Sequence, residues 1–214
     1  MLRILFYLLL VKPLVLLILG INARGKKHLP LTGPAIIVAN HNSHLDTMAL
    51  MSLFPLSKIH NVRPVAAADY FMCNRCIKWF ALNIAGIIPI ERKAKNAASN
   101  LFTPVMEALD AGSIVIIFPE GTRGEPETMG RMKNGIAHLL SERPDVPVIP
   151  VFFYGLGKCL PKGEVILVPF FVDAFIGEPL RFTGSRQAFM DTLTERMAEL
   201  QSKAVKLSFE DFNT

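Results

Sequence analysis

The sequence predicts an α/β domain: a mostly parallel central sheet covered by helices, preceded by an N-terminal membrane-associated helical segment. Three observations carry this expectation. Short, uniformly apolar runs such as AIIVA (35–39) and VIPVFFY (148–154) alternate with longer helical stretches, the order expected of strands buried on both faces by helices. The 214-residue chain is 51% hydrophobic and only 19% charged, below the roughly 25% usual for soluble domains, which points to a second apolar environment. Its charge is also one-sided: Arg3, Lys12, Arg24, Lys26 and Lys27 all precede the first acid, Asp46, and account for the whole net charge of +5.

The elements follow in order. Residues 4–11 and 14–19 are apolar runs divided by Lys12-Pro13, and neither approaches the roughly 20 residues of a spanning helix. Proline removes a backbone donor and disfavours helix at the preceding residue, so the expectation is a kinked pair of short helices lying within one leaflet. A transmembrane helix and a core-packed or partner-covered helix are the alternatives. Strands are expected at Ala35–Ala39, Pro64–Ala68, Gly86–Ile90, Ser113–Phe118, Val148–Tyr154 and Val165–Val168, with a further one at Phe171–Ile176. Helices are expected at Ser43–Leu53, Ile77–Asn83, Ala97–Ala111, Gly135–Ser141 and Arg186–Leu207. In the last of these, Phe189, Leu193, Met197 and Leu200 recur every three or four positions, as in an amphipathic cover for the sheet.

Several function classes are excluded. Basic charge alone would suit nucleic acid, but there is no Arg/Lys-rich recognition helix, aromatic-basic interleaving or finger spacing. Three cysteines without a secretory signal do not make a disulfide framework. Cys73 and Cys76 form a C-x-x-C but lack two further ligands at zinc spacing, so free thiols are expected. No G-x-S-x-G, G-x-G-x-x-G or G-x-x-x-x-G-K occurs, which removes the serine-hydrolase, dinucleotide and P-loop readings.

The chemistry lies where strands end. After AIIVAN come His41-Asn42-Ser43-His44-Leu45-Asp46. Five residues on a continuous helix subtend about 500°, which would hold His41 and Asp46 apart, so the helix must start between them. Ser43 as N-cap and Asp46 as the third helical residue supply that start and turn the carboxylate back toward His41. Asp46 can then hold one imidazole nitrogen and leave the other to take a proton. A plain capping box with an ordinary loop histidine fits the same residues, and His44 is expected to point away from the loop. The strand at 113–118 runs into Pro119-Glu120-Gly121-Thr122-Arg123, where Arg123 can clamp a phosphate, Gly121 admits a close backbone approach and Glu120 is placed to orient the arginine. Further strand-associated segments run from Gly86 to Arg92 and from Val146 to Pro150.

In these four segments the chain resembles the glycerolipid acyltransferase family typified by lysophosphatidate acyltransferase. The family's ordered blocks, N-H-x-x-x-x-D, G-x-x-x-x-x-R, F-P-E-G-T-R and V-P-x-x-P, read here Asn40 through Asp46, Gly86 through Arg92, Phe118 through Arg123 and Val146 through Pro150. Pro89 and Glu91 stand where the family often has an aromatic residue and an aspartate. The resemblance implies transfer of a fatty acyl group from acyl-CoA or acyl carrier protein to the free hydroxyl of 1-acylglycerol-3-phosphate, with no metal, no cofactor and no covalent acyl-enzyme. It implies His41 as general base and Asp46 as its orienting carboxylate. Arg92, Glu120, Gly121, Thr122 and Arg123 would bind the acceptor phosphate, and Lys133 is a weaker candidate for phosphate or donor contact. Val148 and Pro150 would belong to an acyl-binding wall. Residues 1–20 would form a membrane anchor and 21–214 the acyltransferase domain, on the cytoplasmic face of a bacterial inner membrane. Another lysolipid acceptor, such as a lyso-ornithine lipid, or a non-catalytic lipid-binding scaffold of the same fold, are the alternatives.

Overall fold

The computed structural model describes residues 1–71, 74–91, 101–160, 168 and 171–212. Its centre is a seven-stranded sheet built from β1 (Ile21–Arg24), β2 (Ala35–Ala39), β3 (Val62–Ala67), β4 (Ile88–Ile90), β5 (Ile114–Ile117), β6 (Val148–Tyr154) and β7 (Val172–Ile176). The spatial order is β1-β7-β6-β2-β5-β3-β4, and only the β6–β7 pairing is antiparallel. The α/β, mostly parallel expectation therefore holds. β6 matches its expected bounds, whereas β1 is missing from the expected strands: INAR alternates apolar and polar residues, but over only four positions and with a single β-branched residue. Of the expected strand at 165–168, residues 165–167 lie outside the described residues.

All five residues of β2 are buried, and their alternation builds two cores. Ala35, Ile37 and Ala39 face one apolar layer, which includes Leu50 and Met51 of α2 (Asp46–Ser52). Ile36 and Val38 face the other, which includes Val105 and Leu109 of α4 (Thr103–Asp110) and Ile136 and Leu140 of α5 (Gly135–Glu142). That second layer is closed by Phe189, Leu193, Met197 and Leu200 of the long α6 (Arg186–Phe212), as the spacing predicts. Before β4, α3 (Arg75–Phe80) continues as a π-turn through Ala81–Ala85 to Gly86. Residues 97–100 of the expected 97–111 helix lie outside the described residues, as does Cys73, and Cys76 is an exposed free thiol.

The N-terminal segment departs from expectation. α1 (Leu2–Phe6) runs on through π-helical turns at Tyr7–Val11 and Leu14–Leu19, and Lys12 keeps right-handed helical angles (φ −64°, ψ −46°). The wider turns on either side of Pro13 accommodate its missing donor without splitting the helix in two. Tyr7, Val11, Val15 and Leu19 recur every four residues and are buried in the α2-side core. Leu2, Leu5, Leu8, Leu9 and Leu10 stay exposed. Among the described residues, no helix is long and apolar enough to cross a membrane.

Arg3 fastens this helix to the domain. Its guanidinium is buried and donates to the backbone carbonyls of Val62 (2.6 Å), Ala85 (3.1 Å) and His60 (3.3 Å), with no carboxylate involved. Removing the donors strands carbonyls away from water. Arg3→Ala is therefore expected to lower unfolding stability by about 1–3 kcal/mol, read from the urea midpoint. Lys203→Ala, at an exposed position, is expected to change it by less than about 0.5 kcal/mol.

Candidate active site

β2 and β5 are neighbours, and their register pairs Val38 with Ile117. The loops that follow, Asn40–Leu45 and Phe118–Arg123, therefore leave the sheet side by side at its carboxyl edge, the usual place for a ligand in an open α/β fold. β6, on the other side of β2, extends past it to Tyr154. The Asn40 side chain bridges that gap, accepting from Phe153 N–H (2.7 Å) and donating to Phe153 C=O (3.0 Å).

His41 and Asp46 meet. His41 Nδ1 lies 2.8 Å from Asp46 Oδ2, and the same oxygen accepts from the backbone N–H of Asn42 (2.8 Å) and Ser43 (2.9 Å). The expected helix start is corrected in detail: α2 begins at Asp46 itself, Leu45 occupies the N-cap position, and Ser43 Oγ instead accepts from Leu45 N–H and donates to Leu160 C=O. The half of the capping box that runs from the carboxylate back to Ser43 N–H does form, and it holds Asp46 under the preceding loop. Asp46 is fully buried, and this pushes its carboxyl above the usual aspartate value despite the three donors. Its other oxygen, Oδ1, is buried without a hydrogen-bond partner among the described residues, a local cost of the kind that functional sites carry. The imidazole stacks on Phe118 with ring centres 4.3 Å apart and remains 23% exposed. An acceptor at Nδ1 fixes the proton there and leaves the Nε2 lone pair facing outward.

The second loop is tied to the first. Glu120 is buried. One of its oxygens accepts from His41 N–H (2.8 Å) and the other from Gly130 N–H (2.9 Å), while Gly124 N–H donates to His41 C=O (2.8 Å). Glu120 is thus a strut between backbones rather than the partner expected for Arg123. A Cβ on Gly130 would stand 2.6 Å from Glu120 Oε2, so a side chain there would have to displace the Glu120 carboxylate. Arg123 contacts His44 Nε2, which corrects the expectation that His44 points away. Partial burial, then the charges of Arg123 and His41, hold the His44 imidazole below the usual histidine value, so it can accept from the guanidinium. Thr122 is exposed beside it. Gly121 adopts a left-handed φ of 72°, and a Cβ there would lie 2.5 Å from Lys133 Nζ. Lys133, weaker on sequence alone, therefore reaches over the same turn.

Two expected positions are elsewhere. Val148 and Pro150 lie on β6 in the middle of the sheet, and both are buried, Val148 in the layer capped by α6. Both side chains are packed inside the domain, and neither lines an open surface among the described residues. Arg92 lies outside the described residues. Among the described residues no three His, Cys, Asp or Glu side chains are grouped to hold a metal ion. Sequence reading missed Asn42, whose Nδ2 donates to the carbonyls of Glu125 and Thr128 and so locks the two loops together. It also missed Glu127, half-buried at a φ of 60° with Oε2 accepting from Gly155 N–H (2.7 Å). Nothing in the spacing of either residue announces these contacts.

A family profile described as acyltransferase matches residues 20–154, the stretch that contains both loops. The chain belongs to the acyltransferase family. Among relatives in this family, the chloroplastic 1-acyl-sn-glycerol-3-phosphate acyltransferase LPAT1 of Arabidopsis thaliana is 33% identical over 145 residues, covering 67% of this chain and 38% of that protein. The 1-acyl-sn-glycerol-3-phosphate acyltransferase of Pseudomonas aeruginosa is 28% identical over 177 residues, covering 82% of this chain and 65% of that one. The chain thus spans less than two thirds of the length of either relative. In fold it is similar to the crystal structure of the 1-acyl-sn-glycerophosphate acyltransferase PlsC from Thermotoga maritima, with a TM-score of 0.66 at 22% identity over 85% of this chain and 72% of that one.

Glu127 makes the electrostatics of this acyltransferase loop testable. Burial, opposed by the Gly155 N–H and by Lys158, raises its carboxyl above the usual glutamate value, and its Oε1 has no partner among the described residues. A raised folded-state value means that folding favours the protonated form. That contribution is present below the unfolded-state value and is lost as pH rises through the folded one. Glu127→Gln, neutral throughout, is expected to unfold at higher urea than wild type at about pH 8 and at nearly the same urea at about pH 4.

Proposed function

We propose that the chain is an O-acyltransferase that moves a fatty acyl group from acyl-CoA or acyl carrier protein to the free hydroxyl of 1-acylglycerol-3-phosphate, giving phosphatidic acid. The observation that supports this most is the 2.8 Å His41 Nδ1 to Asp46 Oδ2 contact with Nε2 left open, beside a loop carrying Arg123 and approached by Lys133. The activities for which the relatives are named agree with it.

A thioester is already activated and an alcohol is a poor nucleophile at neutral pH, so the reaction chiefly needs a base on the acceptor. In this reading His41 Nε2 takes the hydroxyl proton as the oxygen attacks the thioester carbonyl. Asp46 holds the tautomer and stabilises the imidazolium. Collapse of the tetrahedral intermediate breaks the C–S bond, and the imidazolium returns its proton to the departing thiolate. The ester and the free thiol balance the step. Gly121, Thr122 and Arg123 would hold the acceptor phosphate, with Lys133 adding charge and His44 steadying the guanidinium. Glu120 would act by positioning, through His41 N–H.

We further propose that residues 1–20 anchor the 21–214 domain on a membrane surface, the cytoplasmic face in a bacterial cell. Leu2, Leu5 and Leu9 are 57%, 48% and 65% exposed, and Trp79 and Phe80 of α3 add 51% and 42%. The Phe6 and Phe80 rings meet edge-on at 5.2 Å, which joins the two helices into one apolar face.

The experiment is transfer of labelled acyl groups from both donors to lysophosphatidate. Wild type is expected to turn over, and His41→Ala to lose about 10²- to 10⁴-fold with unchanged folding. Near-normal transfer by His41→Ala would end the general-base reading, and no wild-type transfer to lysophosphatidate would end the acceptor assignment. Arg123→Ala is expected to raise KM for lysophosphatidate about tenfold or more and to leave an acceptor without phosphate little changed. Trp79 is the sole tryptophan, so vesicles should shift its emission to the blue, and an unshifted spectrum would contradict the membrane face.

A further inference from the structure

A second basic feature lies away from this site. α2 starts at Asp46 beside His41 and ends at Ser52, about 9 Å further along its axis, toward the opposite edge of the sheet. There a cleft of about 390 Å³ opens between the N-terminal helix, the 3-10 turn Lys26–His28 and the end of α2. Lys12, Lys26 and Lys27 line it, with Ser52, Leu53 and Phe54 among its other walls and no carboxylate. None of the three lysines forms an ion pair among the described residues. Like charges held together without counter-charge repel one another, and an anion relieves that repulsion. The cleft also adjoins apolar surface: Lys12 stands two positions after the exposed Leu8–Leu10 stretch, and Leu31 at the rim is 54% exposed.

We propose that this cleft is a binding site for the headgroup of an anionic phospholipid, separate from the acceptor site. The three ammonium groups take the phosphate, Leu53 and the exposed Leu31 meet the glycerol and first methylenes, and the acyl chains continue along the exposed leucines of the N-terminal helix. Charge alone would equally suit inorganic phosphate. The apolar walls, and the position next to the leucine face, favour a ligand with a phosphate at one end and hydrocarbon at the other.

The proposal rests on the membrane-facing reading of the N-terminal helix. Because the Trp79 shift tests that reading on its own, failure of the cleft with the shift intact removes the cleft alone. The test is calorimetric titration of the full chain with soluble dihexanoylphosphatidylglycerol and, separately, with inorganic phosphate. The triple variant Lys12→Ala, Lys26→Ala, Lys27→Ala is expected to weaken lipid binding at least about tenfold and to keep acyl transfer in detergent micelles within twofold. Ser52→Trp, which fills the cleft and keeps every lysine, is expected to weaken lipid binding similarly. If that variant does not fold, the lysine variant decides. Removing equal charge from α6 (Arg196→Ala, Lys203→Ala, Lys206→Ala), and removing Arg123, should each change binding by less than twofold. Any of four results would overturn the proposal: phosphate binding as tightly as lipid, equal weakening by the α6 variant, loss of binding in Arg123→Ala, or no lipid binding by wild type. Unchanged binding in a folded Ser52→Trp would overturn it as well.

Discussion

Asp46 Oδ2 collects three N–H donors: the His41 ring and the backbones of Asn42 and Ser43. That one buried oxygen fixes the loop between β2 and α2, the start of α2 and the tautomer of His41 together. Its burial is expensive for a carboxylate, and the three donors offset only part of the cost. Loss of any one of them would leave charge in the core without adequate compensation, which ties the loop conformation to the ionisation of the site. The same loop then passes its order on: His41 N–H binds Glu120, Glu120 binds Gly130, and the Asn42 side chain reaches Glu125 and Thr128. The cation-bearing loop is thereby built on the dyad rather than beside it.

The sheet sets the stage for this. With β2 between β5 and β6, the strand ends of three parallel neighbours converge on one edge, and packing on both faces leaves that edge as the open place for chemistry. The N-terminal helix serves the two solvents of the fold at once. Its four-residue stripe of Tyr7, Val11, Val15 and Leu19 is sealed against α2, while its leucine-rich remainder is exposed. Arg3, bound to backbone carbonyls, holds the helix in place without a carboxylate partner among the described residues.

Much of this was legible in the residues. AIIVA and VIPVFFY read as buried strands because both of their faces are apolar, and α6 read as a cover from its spacing. His41 and Asp46 read as a pair because five residues can meet only across a helix start. What sequence could not supply was long-range partnership. Glu120 read as a companion for Arg123 because they are three apart, yet its oxygens are claimed by amides at Gly130 and, 79 positions away, at His41. His44 read as turned away for want of any sign that Arg123 would reach it. Val148 and Pro150 were expected at a ligand because their motif is shared with the family, and both side chains are buried. The expected break at Lys12-Pro13 gave way to π-turns, since burial of the four-residue stripe outweighs the local preference of proline.

The central claim is that Asp46 fixes the protonated nitrogen of His41 so that Nε2 is the free base. The most direct measurement is the nitrogen-15 NMR signature of the His41 ring in the full-length protein in detergent, at a pH where the imidazole is neutral. The account predicts a ring protonated at Nδ1 with an unprotonated Nε2, and loss of that preference in Asp46→Asn. A ring protonated at Nε2 in the wild type would contradict it, because no lone pair would then face the acceptor hydroxyl.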